Sequence, residues 1–75
     1  TFAIYPNPSA NEFNVSNAKN DMLNINVFDA KGALVEQLSS TSANISFGNN
    51  LQEGLYFVQI QSTTISAYSS VLKVK

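Results

Sequence analysis

Apolar residues recur at every second position through most of this chain, in seven short runs separated by Asn, Ser, Gly and Pro. A period of two belongs to strands with one buried face, whereas an amphipathic helix would repeat about every 3.6 residues. The first run, Phe2-Ala3-Ile4-Tyr5, stops at Pro6-Asn7-Pro8-Ser9, where two prolines remove backbone donors and hold the chain extended. The second is centred on Phe13 and Val15, with Glu12, Asn14 and Ser16 on the other face. The third is the cleanest: Leu23, Ile25 and Val27 alternate with Asn24, Asn26 and Phe28.

Asp29-Ala30-Lys31-Gly32 reads as a turn, with an Asp at its first position to accept a backbone bond and a Gly at its fourth. The fourth strand, Leu34 to Leu38, has an imperfect pattern that predicts a bulge or an edge position. Ser39 to Ser42 reads as a polar connection, and Ile45 with Phe47 forms a short fifth strand broken by Gly48-Asn49-Asn50. The sixth strand, Leu55 to Ile60, places Tyr56, Val58 and Ile60 on one face. Ser62 to Thr64 is a hairpin tip, and the seventh strand runs from about Ser66 to Val74. In it Leu72 and Val74 are read as inward, and Val71, Lys73 and Lys75 as outward. Seven short strands of this kind predict an all-β, seven-stranded Ig-like or fibronectin-like antiparallel β-sandwich, with a small barrel as the structural alternative. The expected core is Phe13, Leu23, Ile25, Val27, Ile45, Tyr56, Val58, Ile60 and Leu72. Tyr56, near the start of the penultimate strand, is expected to tie its hydroxyl to upstream backbone.

Composition removes most chemistry. Without histidine or cysteine the chain has no triad base, thiolate nucleophile, disulfide or zinc–thiolate site. Its five acids, Glu12, Asp21, Asp29, Glu36 and Glu53, fall at turns or on polar strand faces rather than as a convergent pair. A domain of 75 residues buries only roughly 60–65% of the surface its unfolded chain exposes, so no large pocket is expected. These points argue against an enzyme and against a small-molecule substrate. Asp29 with nearby carbonyls could offer oxygen ligands to calcium, but one acid in a DxxG segment is the ordinary start of a turn. No cofactor and no metal are therefore expected. The sequons at Asn14 and Asn44 fall inside strands of a chain with ten asparagines, where chance matches are common.

The net charge of −1, with lysines scattered at 19, 31, 73 and 75, offers no field for nucleic acid or anionic lipid. Apolar runs of four residues fall far short of the roughly 20 that span a bilayer, so no membrane insertion is expected. The absence of an initiator methionine and of a leader suggests a single domain trimmed or cloned out of a longer precursor, with any export signal upstream of this sequence. Phe28 and Phe57 have the parity opposite to the core residues of their strands. They could form a sugar- or partner-binding stripe; the reading preferred here is that they cover the ends of the core or pack beneath a loop.

Three segments, taken in order, resemble a known family: Tyr5-Pro6-Asn7-Pro8-Ser9, Val27-Phe28-Asp29-Ala30-Lys31-Gly32, and Leu51-Gln52-Glu53-Gly54-Leu55-Tyr56-Phe57-Val58. Together they resemble the type IX secretion system C-terminal sorting domain, type A, of the Por secretion system family. The resemblance implies a seven-stranded sandwich, residues 1–75, at the C-terminus of a larger secreted protein of Bacteroidetes-type bacteria. It implies a label that acts as a substrate: an N-terminal cargo domain reaches the periplasm, and the label is recognised by outer-membrane secretion machinery. A sortase-like protease then commonly removes the label and joins the cargo to a surface lipopolysaccharide. The recognition residues it suggests are Tyr5, Pro6, Asn7, Pro8, Gly54, Tyr56, Val71, Lys73 and Lys75, with Asp29 and Gly32 as a structural turn. Where the family carries a lysine ahead of its final aliphatic run, this chain has Ser70, with Lys73 and Lys75 close behind.

A sandwich leaves sheet edges with free N–H and C=O groups that a partner strand can pair, and the first and last strands are the expected candidates. The competing functional reading is a non-catalytic fibronectin-like binding or spacer module of a secreted enzyme.

Overall fold

The computed structural model describes residues 3–17 and 19–75, which form seven β-strands. These are β1 (Ile4–Tyr5), β2 (Phe13–Ser16), β3 (Leu23–Phe28), β4 (Leu34–Ser40), β5 (Asn44–Phe47), β6 (Gly54–Gln61) and β7 (Ser66–Lys73). Phe2, read as the start of the first strand, lies outside the described residues. The strands pair antiparallel in two sheets, one ordered β1-β2-β5 and the other β4-β3-β6-β7. This is the two-sheet sandwich that the alternation predicts, not the barrel.

The core lies between the two inner faces. Phe13, Val15, Ile45 and Phe47 come from the three-stranded sheet, and Leu23, Ile25, Val27, Tyr56, Val58, Ile60 and Val71 from the other. Phe13 and Phe47 stack with ring centroids 5.6 Å apart. Each fully buried aliphatic contributes roughly 1.5–3 kcal/mol, which is how a chain with no disulfide holds two sheets together.

Eight of the nine expected core residues are buried, and the ninth is a correction. Leu72 is 43% exposed, while Val71 is 1% exposed and Lys73 only 4%. Register gives the reason: Val71 lies opposite Tyr56 and Lys73 opposite Gly54, whereas Leu72 lies opposite the outward Leu55. Aliphatic residues occupy both parities of this strand, so the lysines were the only guide to its orientation, and Lys73 points inward. Lys75 is exposed, as expected, and Val74 is half-buried just beyond the end of β7.

The imperfect fourth strand is both an edge and bulged: Val27 faces Glu36 but Phe28 faces Leu34, so Val35 is the extra residue. It continues past Leu38 to Ser40, and the Ser39 hydroxyl donates across to Asn24 Oδ1 at 2.5 Å. The Asp29 turn forms as read. Asp29 Oδ1 accepts from the Lys31 and Ala33 amides at 2.9 Å each, and Gly32 takes φ +90°, which a residue with a Cβ rarely adopts.

Candidate functional site: the C-terminal strand and its flanking segments

The residues that the sequence reading singled out converge on the last strand. On one side of β7 runs β6, with Gly54 opposite Lys73, Leu55 opposite Leu72 and Tyr56 opposite Val71. On the other side lies the Pro-Asn-Pro-Ser segment that follows β1. Both prolines follow cis peptide bonds.

Asn7 takes the place of a strand residue. Its Oδ1 accepts the Leu72 amide at 3.0 Å, and its Nδ2 donates to the Ser70 carbonyl at 3.1 Å. A carboxamide has the same acceptor and donor as a peptide group, so one side chain closes two free backbone groups. Ser9 continues the pairing with its backbone: its amide donates to Leu72 O at 3.1 Å, and its carbonyl accepts from the Val74 amide at 2.9 Å. Ser9 and Lys73 form a parallel bridge, which joins the two sheets at this corner. The Ser9 hydroxyl, itself buried, donates to Glu12 O at 2.8 Å and accepts from the Asn11 amide at 3.1 Å. The expectation that the last strand has a free edge is thus corrected for Ser70 to Val74.

Lys73 fastens the same corner from inside. Its Nζ donates to the carbonyls of Asn11, of Gly48 at 2.5 Å and of Asn49 at 3.3 Å. The β1–β2 connection, the β5–β6 connection and β7 are therefore held by one ammonium. An ammonium has three donors and no acceptor, and three carbonyls are the complement that makes its burial tolerable.

Tyr56 supplies the other tie. Its hydroxyl donates to Gln52 O at 2.7 Å, the upstream backbone contact expected of a tyrosine at the start of the penultimate strand. Gly54, at φ +150°, opens β6 directly opposite Lys73, in a backbone region that favours glycine. Register places the Asp29 turn at this same end of the sheet, since Phe28 faces Phe57 and Phe57 faces Ser70.

The suggested residues therefore fall into two groups. Tyr5, Pro6, Asn7, Pro8 and Lys75 are exposed, whereas Tyr56, Val71 and Lys73 are buried and Gly54 is half-buried. The reading of Val71 and Lys73 as an outward contact surface is corrected: both side chains point into the sandwich. Sequence reasoning missed the roles of Asn11, Gly48 and Asn49, whose carbonyls accept from the Lys73 ammonium, because a backbone atom leaves no signal. Asn17 was also missed. It is buried at 3% exposure, and its Nδ2 donates to Asp21 O and Ser42 O at 2.9 and 3.0 Å.

Phe28 and Phe57 do not cap the core. They sit side by side on the outer face of the four-stranded sheet, in register with Leu34, and Leu55 and Leu72 form the next row. The sequon asparagines Asn14 and Asn44 bond to each other at 3.2 Å, and Asn44 accepts from the Tyr5 hydroxyl at 2.9 Å. Among the described residues no three acidic, histidine or cysteine groups converge to hold a metal. Nor is any helix long and apolar enough to cross a membrane.

Fold and site together define a small Ig-like antiparallel β-sandwich organised around a clamped C-terminal strand. Comparison with known proteins carries this further. A part of PorZ, described as an essential bacterial surface component of the type IX secretion system of Porphyromonas gingivalis, shares the fold at a TM-score of 0.73. The match has 17% identity and covers 99% of this chain and 11% of that one, so it speaks to fold alone. No curated protein matches in sequence. A family described as the secretion system C-terminal sorting domain matches residues 3–74, and the chain belongs to that family. It is a C-terminal sorting signal of type IX secretion, a family that is not catalytic and whose members engage the secretion machinery as substrates. Sorting of this kind implies export to the cell surface or the extracellular space.

Proposed function

We propose that residues 1–75 form the C-terminal label of a larger cargo protein and have no catalytic activity, cofactor or small-molecule substrate of their own. The cargo domain precedes the label, the pair passes through the periplasm, and the outer-membrane machinery engages the folded sandwich. A sortase-like protease then removes the label and leaves the cargo on the surface.

One observation carries this reading. Two of the three segments behind the family resemblance flank the last strand, one on each edge, and the third turns at the same end of the sheet. The residues at stake then divide by mechanism. Gly54, Tyr56, Val71 and Lys73 hold the strand in place, while Tyr5, Pro6, Asn7, Pro8 and Lys75 form the surface around it. Leu72, 43% exposed, belongs with that surface.

The test is a fusion of this chain to the C-terminus of an inert carrier with an ordinary signal peptide, in a host that has a type IX system. The carrier is expected on the surface or in the medium. Leu72→Ser with Lys75→Ser, or a short polar tail after Lys75, should leave folding within about 0.5 kcal/mol per exposed substitution yet hold the carrier in the periplasm. Export of the altered fusions at the parent level would show that the final strand is not what is read. Retention of the unmodified fusion would overturn the sorting role of this chain and favour the spacer-module reading.

A further inference from the structure

The four-stranded sheet has a second edge, and it is open. Among the described residues β4 pairs only with β3. It carries no proline and no lysine, the residues that usually discourage strand addition. The bulge at Val35 confines the regular part of this edge to Glu36–Ser40, long enough for a short extended segment.

Beside the edge, where β4 faces β5 across the seam between the sheets, runs a groove of about 300 Å³. Its lining includes apolar Val35, Phe47 and Leu51, two carboxylates, Glu12 and Glu36, and no basic residue. Glu36 Oε1 accepts the Gly48 amide at 3.0 Å. A carboxylate offers about four acceptor sites, so capacity for a cation remains. An apolar wall with carboxylates fits a long basic side chain, which lays its methylenes on apolar surface and its charge on the acids. Parity agrees: Glu36 and Leu38 face inward opposite Val27 and Ile25, so alternate residues of a strand added at this edge would point toward the groove. The remaining residues of that strand would lie on the outer face, beside the row formed by Leu34, Phe28 and Phe57.

We propose that the free edge of β4 is a docking site for an extended peptide segment that adds a fifth strand to the sheet, placing an Arg or Lys side chain in the groove between β4 and β5 and apolar side chains on the outer face. Backbone pairing supplies the register, and the charge in the groove supplies the selectivity. The proposal is independent of which strand the export machinery reads.

The test uses isotope-labelled chain and two blocked peptides, Thr-Thr-Val-Arg-Val-Thr-Thr, whose valines take the parity opposite to the Arg, and the same peptide with Gln in place of Arg. The Arg peptide is expected to cause saturable amide shifts over Glu36–Ser40 and around Phe47 to Leu51, and to slow exchange of the outward amides of β4. It should bind about two- to fivefold more tightly than the Gln peptide. Glu12→Gln with Glu36→Gln should abolish that preference without changing the amide spectrum of the core, since Gln can still accept the Gly48 amide. Gln37→Lys, on the exposed edge, should weaken the Arg peptide while the chain stays folded. Shifts confined to β7 or to the outer face, equal affinity for the two peptides, or no shift at millimolar peptide would each overturn the proposal. So would β4 amides already protected by self-association of the free chain, which would make a second copy the occupant.

Discussion

The two edges of the four-stranded sheet end differently. Along β7 the backbone groups from Ser70 to Val74 are closed by Asn7 and Ser9, and the strand is fastened from within by Lys73. Along β4 a strand of seven residues pairs, among the described residues, on one side only, and its bulge disturbs one end. Both are edges of one sheet with one core, so hydrophobic burial does not explain the contrast. The difference lies in polar groups brought from far away in sequence. Asn7 reaches across 65 residues to Leu72, and Lys73 spans 62 to Asn11. An edge can thus be sealed without adding a strand, provided that a side chain copies the peptide group. The sealed edge is also where the Pro-Asn-Pro-Ser segment, one of the three behind the family resemblance, lies along β7.

The largest effect expected is one that does not distinguish the edges. Val58 is fully buried at the centre of β6, beside β3 and β7, and Val58→Ala should cost about 1–3 kcal/mol in denaturant unfolding and loosen both edges together. Selective loss at β7 alone would mean that the two edges do not share a core. Next comes Lys73→Met, which keeps the aliphatic stem but leaves the Asn11 and Asn49 carbonyls without their donor and Gly48 O with the Leu51 amide alone. It should cost about 1–2 kcal/mol and disturb the amides of Asn49 to Leu51 while sparing β4. An unchanged unfolding midpoint would show that the buried ammonium contributes nothing. Smaller still is Asn7→Ala, which removes two exposed hydrogen bonds and should cost about 1 kcal/mol. Its purpose is to turn the sealed edge into an open one, so that β7 exchanges its amides as β4 does.

Much of this organisation is legible in the sequence, and the exceptions have physical causes. β3 and β6 read clearly because Leu23, Ile25 and Val27 in the one and Tyr56, Val58 and Ile60 in the other form unbroken alternating runs, even though Phe28, Leu55 and Phe57 take the opposite parity. The edge character of β4 shows in its broken pattern, since a strand with one neighbour tolerates a bulge that a central strand would not. The orientation of β7 is not legible because Val71, Leu72 and Val74 occupy both parities and a lysine is ordinarily an outward marker. What turns Lys73 inward is a set of three carbonyls from two connections, which no local pattern encodes. The site was legible as a list of residues but not as an arrangement. The Pro-Asn-Pro-Ser segment reads as a strand terminator, and only the fold shows it lying along the last strand. Likewise the alternation shows Phe28 and Phe57 to be opposite in parity to the core, but which surface they cover depends on the sheet to which their strands belong.

The contrast between a sealed and an open edge is tested most directly by amide hydrogen exchange on the folded chain, residue by residue. Leu72 and Val74, whose amides donate to Asn7 Oδ1 and Ser9 O, should be protected well above the outward amides of Glu36–Ser40. In Asn7→Ala, protection at Leu72 should fall toward the β4 level while the amides paired between β3 and β6 keep theirs. Leu72 exchanging as fast as the β4 edge in the parent chain, or staying equally protected without Asn7, would contradict the account.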